Sequence, residues 1–257
     1  MASYFTRESE SSYVPSNHVA GSWNTSEQHI APPMGLLAHV LEVDHASRGG
    51  KLQLISINYD ILGVLPIEAV EVSTRVLRPG RTIELLEGTL SHNGRPALIA
   101  RAWFLAEGDT EQFAGSSLTP IPPRSEMQPW APSQKWPGDF IASIEAFQIE
   151  ESPGRAQSWA RTVYPILDRE PTSLTARMLG IVDLANGTTP RVSTNKVIFP
   201  NLDLKVNIVR PPVNEWIGFD TAVTFGDNGF GLTQTIIHDD NGPIGSLAQS
   251  LTVRTVS

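Results

Sequence analysis

The chain has no cysteine, and this absence excludes several kinds of chemistry at once. Without cysteine there are no disulfides, no thiolate nucleophile and no cysteine-ligated zinc or iron–sulfur centre. Histidine could still bind a metal, but the six histidines follow none of the tight spacings that dedicated metal sites use. We therefore expect neither a metal site nor a bound cofactor.

Long apolar runs and clusters of basic residues are also missing. No stretch of about 18 apolar residues could form a membrane-spanning helix, and the opening segment MASYFTRESESSY lacks the basic-then-apolar profile of a signal peptide. The formal net charge is −8, without a cluster of Lys and Arg, which argues against nucleic acid or an anionic membrane as the main partner. We expect a soluble cytoplasmic protein with enough apolar residues, 40% of the chain, for a packed core.

The sequence does contain an internal repeat, in which one pattern of strands and turns occurs in each half of the chain. In the first half, strands are predicted at 69–77, 82–91 and 97–106, joined by the turns RPGR and HNGR. In the second half, GFDTAVTFGDNGFGLTQTIIHDDNGPIGSLAQSLTVRT repeats the order of strand, glycine turn, strand, Asn-Gly turn and strand. Aligning the two Asn-Gly turns lays Arg101 over Gln249, and aligning the strands before Pro66 and Pro211 lays Asn58 over Asp203.

Each half also has one helical segment ahead of these strands. HIAPPMGLLAHVLEV opens with two prolines, which suit a helix start, and PTSLTARMLGIVDLANG opens with a Thr or Ser N-cap. Between the halves, the regular spacing of apolar residues gives way to proline and polar residues. This segment is therefore predicted to be a surface connector. The predicted organisation is an α+β fold with a repeat at 1–107, a connector at 108–138 and a second repeat at 139–257.

This order of elements resembles the double-hotdog acyl-CoA thioesterases of the thioesterase II type. The similarity rests on RPGR and NGRPALIARA in the first half and on DLKVNIVRPPVNEW, VTFGDNGFG and GPIGSLAQSLTVR in the second. It implies a double hotdog, two tandem repeats in which an antiparallel sheet wraps a central helix. It also implies hydrolysis of an acyl-CoA thioester, with acyl-CoA as the partner and a homo-oligomer as a possibility.

In that family, as the resemblance implies, an Asp, a Thr and a Gln of the C-terminal repeat hold a water beside the thioester carbonyl. The matching residues are Asp203, Thr224 and Gln249, with Asp203 as general base. Gln249 stands out on its own because strand alternation places it between Leu247 and Leu251, where an amide needs hydrogen-bond partners.

The resemblance also points to an oxyanion site at the start of the first helix, where backbone N–H groups are available. We expect Met34 and Gly35 to form it. Many relatives have a Gly pair here, whereas this chain has PPMG, and Pro32 and Pro33 have no N–H to donate. The first repeat carries Asn58 and Arg101 at the aligned positions, so one functional site per chain is expected.

Several alternatives stay open at this stage. Gln249 could be an ordinary buried amide, and Asp203 could form a surface ion pair with Lys205. Asp183, in MLGIVDLANG, is a second candidate for the base, because some hotdog thioesterases place a carboxylate on the central helix; it could also serve as a cap. A non-catalytic acyl-CoA-binding or lipid-binding double hotdog is the alternative function, and a hydratase or dehydratase is a weaker one.

Overall fold

Thirteen antiparallel strands form one continuous sheet in the computed structural model, which describes residues 2–256. The order across the sheet is β1-β2-β4-β5-β6-β3-β11-β14-β13-β12-β9-β8-β7, and β10 and β15 form a separate pair. The strands are β1 (Phe5–Arg7), β2 (Ser12–Pro15), β3 (Gln53–Ile61), β4 (Val70–Arg78), β5 (Ile83–His92), β6 (Arg95–Leu105), β7 (Gln128–Trp130), β8 (Ile144–Ser152), β9 (Arg155–Thr162), β10 (Val197–Ile198), β11 (Asp203–Ile208), β12 (Ile217–Phe225), β13 (Phe230–Asp239), β14 (Gly242–Thr252) and β15 (Arg254–Thr255).

The helices are few and lie inside the curve of the sheet. The α-helices are α1 (Ala31–Ser47), α2 (Asp139–Ala142), α3 (Leu174–Leu179) and α4 (Ala185–Thr188). Short 3₁₀ turns lie at Asn17–Val19, Glu111–Phe113, Arg124–Glu126, Pro132–Gln134 and Val182–Leu184. No helix among residues 2–256 is long and apolar enough to span a membrane.

The two halves of the chain meet at the centre of the sheet, where β3 pairs with β11. In β11 the residues Leu204, Val206 and Ile208 point into the core and are buried, whereas Lys205 and Asn207 are exposed on the outer face. This period-two alternation is what the sequence of a half-buried strand dictates. The side chain of Asp203 belongs to the outer set.

Helix α1 is the central helix of the first half. It is apolar on nearly every side, and Leu36, Leu37 and Leu41 are fully buried, as expected for a helix enclosed by its sheet. The corresponding helix of the second half is interrupted. It begins with Ser173, whose side chain accepts a hydrogen bond from the N–H of Ala176 at 2.9 Å, and continues as α3, a 3₁₀ turn and α4.

The strand register corrects the alignment of the two repeats by one residue. The turn between β5 and β6 is Asn93–Gly94, but the turn between β13 and β14 is Asp240–Asn241, one position earlier than an alignment of the two Asn-Gly pairs assumes. The residue of β6 that corresponds to Gln249 is therefore buried Ala102 and not exposed Arg101. The first repeat offers no amide at this position.

The connector covers part of the outer face of the sheet and also reaches the interior. Ile121 and Met127 pack against Trp159 on the outer face. Further along, β7 pairs with β8, and Trp136 is buried with its indole N–H donating to the carbonyl of Gly187 at 2.9 Å. The connector thus brings a large aromatic side chain to the inside of the second repeat.

Candidate active site

Asp183 is a buried carboxylate in the middle of the second central helix. It lies in the 3₁₀ turn Val182–Leu184, and only 7% of its surface is exposed. Its Oδ1 atom accepts two hydrogen bonds, one from Nδ2 of Asn201 at 2.8 Å and one from Nε2 of Gln249 at 2.9 Å. One carboxylate oxygen is therefore fixed by two amides.

Three separate elements bring these side chains together. Gln249 is fully buried on β14 because it shares the inner face with Leu247 and Leu251. Asn201 precedes β11 and lies opposite Leu251 in an isolated bridge, which places its amide beside that of Gln249. The interruption of the helix between α3 and α4 puts Asp183 in front of both amides.

The surroundings of Asp183 make it a stronger base than an ordinary aspartate. Burial raises the pKa of Asp183 to about 6, and the hydrogen bonds from Asn201 and Gln249 partly oppose this rise by stabilising the charged form. The side-chain carbonyl Oε1 of Gln249 is buried without a hydrogen-bond partner in residues 2–256. An unused acceptor next to a basic carboxylate suits a water that donates to both.

His29 completes the polar cluster from the first half of the chain. Its Nδ1 accepts a hydrogen bond from the N–H of Ala31 at 3.2 Å and lies 3.8 Å from Oδ2 of Asp183. Its ring packs on Phe140 with a centroid distance of 4.4 Å. Burial lowers the pKa of His29 to about 3, so the imidazole is neutral near pH 7.

Three members of the cluster, His29, Asp183 and Asn201, lie where an outer cleft meets an inner cavity, and Gln249 lines neither space. The cleft, of about 380 Å³, runs between the halves and is lined by Gln28, Leu65, Pro200 and Arg254, among others. The inner cavity, of about 50 Å³, is lined by aromatic residues. The residues that line both spaces are Ser22, Trp23, His29, Asp183 and Asn201.

The walls of the inner cavity include three tryptophans and one phenylalanine. Trp23 packs edge-on against Trp136 and Phe199, with centroid distances of 5.2 and 5.5 Å, and Trp130 also lines the space. Such a cavity suits an apolar group. Within the described residues, no group of three or more His, Asp or Glu side chains is placed to hold a metal ion.

Sequence profiles of one protein family match both halves of the chain. The acyl-CoA thioesterase N-terminal domain matches residues 19–105, and the acyl-CoA thioesterase C-terminal domain matches residues 118–253. The chain belongs to the acyl-CoA thioesterase family. No curated protein matches the sequence significantly.

Solved structures confirm the predicted fold of this family member. A hot dog fold protein of unknown function from Alicyclobacillus acidocaldarius is 12% identical, with a TM-score of 0.75, and the match covers 98% of this chain and 96% of the other. A provisionally named thioesterase from Novosphingobium aromaticivorans is 16% identical, with a TM-score of 0.73 and coverage of 99% and 100%. The acyl-CoA thioesterase II TesB2 from Mycobacterium marinum is 16% identical, with a TM-score of 0.68 and coverage of 98% and 96%. The α+β double hotdog is therefore confirmed.

The three residues predicted to hold the water in this thioesterase-family chain do not lie together. Gln249 contacts Asp183, but the Asp203 carboxylate is on the outer face, where it accepts hydrogen bonds from the N–H of Ser250 at 2.7 Å and from its hydroxyl at 3.1 Å. Thr224 is exposed on β12. The predicted arrangement is thus corrected, because strand alternation turns Asp203 and Thr224 away from the face that Gln249 occupies.

The predicted oxyanion residues lie inside α1 rather than at an open helix end. The N–H of Met34 donates to the carbonyl of Ile30 at 3.0 Å, and Gly35 lies at the crossing with Gly180. Neither Met34 nor Gly35 is among the residues that line the cleft or the cavity. The geometry does not support their predicted role, because the helix uses the Met34 amide itself.

The sequence patterns do not single out Asn201, His29 or Trp136. Asn201 stands two residues before Asp203, in the same segment as that predicted residue. His29 stands immediately before the PP pair, and Trp136 lies in a segment that was read as a connector. Two signals in the sequence point to the candidate site, the apolar setting of Asp183 in MLGIVDLANG and that of Gln249 between Leu247 and Leu251.

Proposed function

We propose that this protein hydrolyses acyl-CoA thioesters with Asp183 as the general base. The observation that carries the proposal is a buried carboxylate with one oxygen fixed by Asn201 and Gln249, at the junction of a cleft and an apolar cavity. A carboxylate with a pKa of about 6 is mostly ionised at pH 7 and still basic enough to accept a proton during attack.

The proposed reaction uses a water held by Asp183. The water donates one hydrogen to Oδ2 of Asp183 and the other to Oε1 of Gln249, which directs an oxygen lone pair at the thioester carbonyl carbon. Attack forms the carbon–oxygen bond and moves the proton to Asp183. The tetrahedral intermediate then expels the CoA thiolate, which takes the proton from Asp183, and the carboxylic acid releases its remaining proton to solvent to leave as the carboxylate.

The size of the inner cavity favours a short acyl group. A cavity of about 150 Å³ can take up a benzene ring, and the inner cavity here is about 50 Å³. By that comparison it holds an acyl chain of roughly two to four carbons. Trp136 and Phe199 form the wall that a longer chain would meet.

The outer cleft would hold the CoA arm of the substrate. Its lining includes Arg254, which is exposed. Arg254 is the sole Arg or Lys among the described residues that line the cleft. An exposed guanidinium at the cleft mouth is placed to attract the CoA phosphates.

The test is thiol release from a panel of acyl-CoAs with two to sixteen acyl carbons. We expect turnover with the highest kcat/KM at two to four carbons. If kcat/KM does not depend on chain length, or is highest for long chains, the result would contradict the argument from cavity size but not the hydrolase proposal. Tight binding of acyl-CoA without any turnover by the folded protein would overturn the hydrolase proposal and identify an acyl-CoA-binding protein.

A further inference from the structure

We propose that His29 is a catalytic residue whose Nε2–H donates a hydrogen bond to the thioester carbonyl oxygen and stabilises the oxyanion. This inference rests on the proposed hydrolase function. The family resemblance led us to expect backbone amides in this role, and the structure gives a side chain in the place where those amides are missing.

The first four residues of α1 have no free backbone donor for the site. Pro32 and Pro33 have no N–H, the N–H of Ala31 donates to His29, and the N–H of Met34 donates to Ile30. For an oxyanion that forms beside Asp183, this leaves two donors, the N–H of Ile30, which lines the cleft, and the side chain of His29.

The hydrogen bond from Ala31 fixes the tautomer of His29. Because Nδ1 accepts the Ala31 N–H, it carries no hydrogen, and a neutral imidazole must then carry its hydrogen on Nε2. The Oδ2 atom of Asp183 is 3.8 Å from Nδ1, beyond hydrogen-bond range. The carboxylate therefore does not accept a hydrogen bond from Nδ1 and does not favour the tautomer with hydrogen on that atom. Nε2 makes no hydrogen bond within residues 2–256.

The position of His29 matches the role of an oxyanion donor. The side chain lines both the cleft and the cavity, so it flanks the junction at which the thioester carbonyl would lie. Packing of the ring on Phe140 holds its orientation, so little reorganisation accompanies the reaction. A neutral donor also leaves the neighbouring Asp183 free to act as base.

Two amide substitutions separate this role from a structural one. In His29→Asn, the side-chain oxygen can still accept from Ala31, as Nδ1 does, but no donor reaches the Nε2 position. In His29→Gln, the longer side chain brings an N–H close to the Nε2 position. We expect His29→Asn to lower kcat about 10²- to 10³-fold with KM changed less than about threefold, and His29→Gln to recover at least about tenfold of that loss.

The opposite order, with His29→Asn near wild type and His29→Gln impaired, would overturn the proposal and show that the histidine acts as a cap for α1. Equal loss in both variants, with unchanged denaturant unfolding, would also overturn it.

Nitrogen NMR of labelled His29 at pH 7 provides a readout independent of turnover. We expect the Nε2–H tautomer, and an Nδ1–H tautomer or an imidazolium would contradict the inference. Absence of turnover in the wild-type protein would instead refute the hydrolase function, and with it the catalytic role of His29. The NMR experiment would then report only which tautomer His29 adopts.

Discussion

Asp183 is a carboxylate whose basicity comes from the cost of burying its charge. The pKa of Asp183 in the folded chain, about 6, lies above that of an exposed aspartate, so the folded state binds the proton more tightly than the unfolded chain. Ionisation of Asp183 therefore removes stability. The loss is absent below about pH 4, grows as the pH rises to 6 and is complete above that.

Asp183→Asn should accordingly make the protein more stable at high pH. Asparagine can still accept hydrogen bonds from Asn201 and Gln249 but carries no charge. We expect the gain in the free energy of unfolding to approach about 3 kcal/mol above pH 6, from 1.36 kcal/mol per pKa unit, and to vanish near pH 4. Urea unfolding at several pH values measures it. A gain that does not change with pH would contradict the raised pKa.

The amide of Gln249 should control the pH at which the enzyme becomes active. In the wild type, kcat/KM should fall tenfold per unit below about pH 6, because only ionised Asp183 accepts a proton. Gln249→Met removes a hydrogen bond that lowers the pKa of Asp183, so the midpoint should move to higher pH. Gln234→Met, at an exposed position of β13, is the matched control and should leave the profile unchanged.

At the scale of elements, the connector is expected to set the length of the acyl chain. Trp136→Leu removes an indole from the wall of the inner cavity and should shift the preferred substrate from two to four carbons towards six to eight. A panel of acyl-CoAs gives the profile. Trp216→Leu is the control, because Trp216 packs on the outer face with Phe147. An unchanged profile in Trp136→Leu would show that the chain lies elsewhere.

The strands were predictable from the sequence because glycine turns and alternation mark them clearly. The predicted strand at 82–91 is observed at Ile83–His92, and the helix at the PP pair is observed at Ala31–Ser47. The break in the second helix was not predictable, since MLGIVDLANG keeps helical spacing through Gly180. The repeat alignment also failed by one residue, because a two-residue turn at Asp240–Asn241 and one at Asn241–Gly242 look alike in sequence.

At the scale of the whole molecule, the two repeats depend on a close helix crossing. A Cβ atom added at Gly35 would lie 2.7 Å from the Cα of Gly180, so α1 and α3 approach without side chains between them. Gly35→Ala should destabilise the whole protein by about 1–3 kcal/mol, measured by denaturant unfolding. Gly115→Ala, in open space, is the control and should change little. Equal stability of the two variants would contradict a tight crossing.

The proposed active site is also a property of the whole molecule, and this is why sequence spacing did not reveal it. Asp183, Asn201 and Gln249 come from three elements of the second repeat, and His29 comes from the first. Gln249 was identified from its apolar neighbours alone. Its partner could not be identified in the same way, because both Asp183 and Asp203 are plausible in sequence and only the direction of each side chain distinguishes them.

The most direct test of the account compares Asp183→Asn with Asp203→Asn in thiol release from a short-chain acyl-CoA. Both substitutions remove a carboxylate that accepts a hydrogen bond from β14, from Gln249 or from Ser250, but only Asp183 lies on the inner face. We expect Asp183→Asn to lower kcat by about 10²- to 10⁴-fold and Asp203→Asn to change it less than about threefold. Loss of turnover in Asp203→Asn with activity retained in Asp183→Asn would contradict the proposed site.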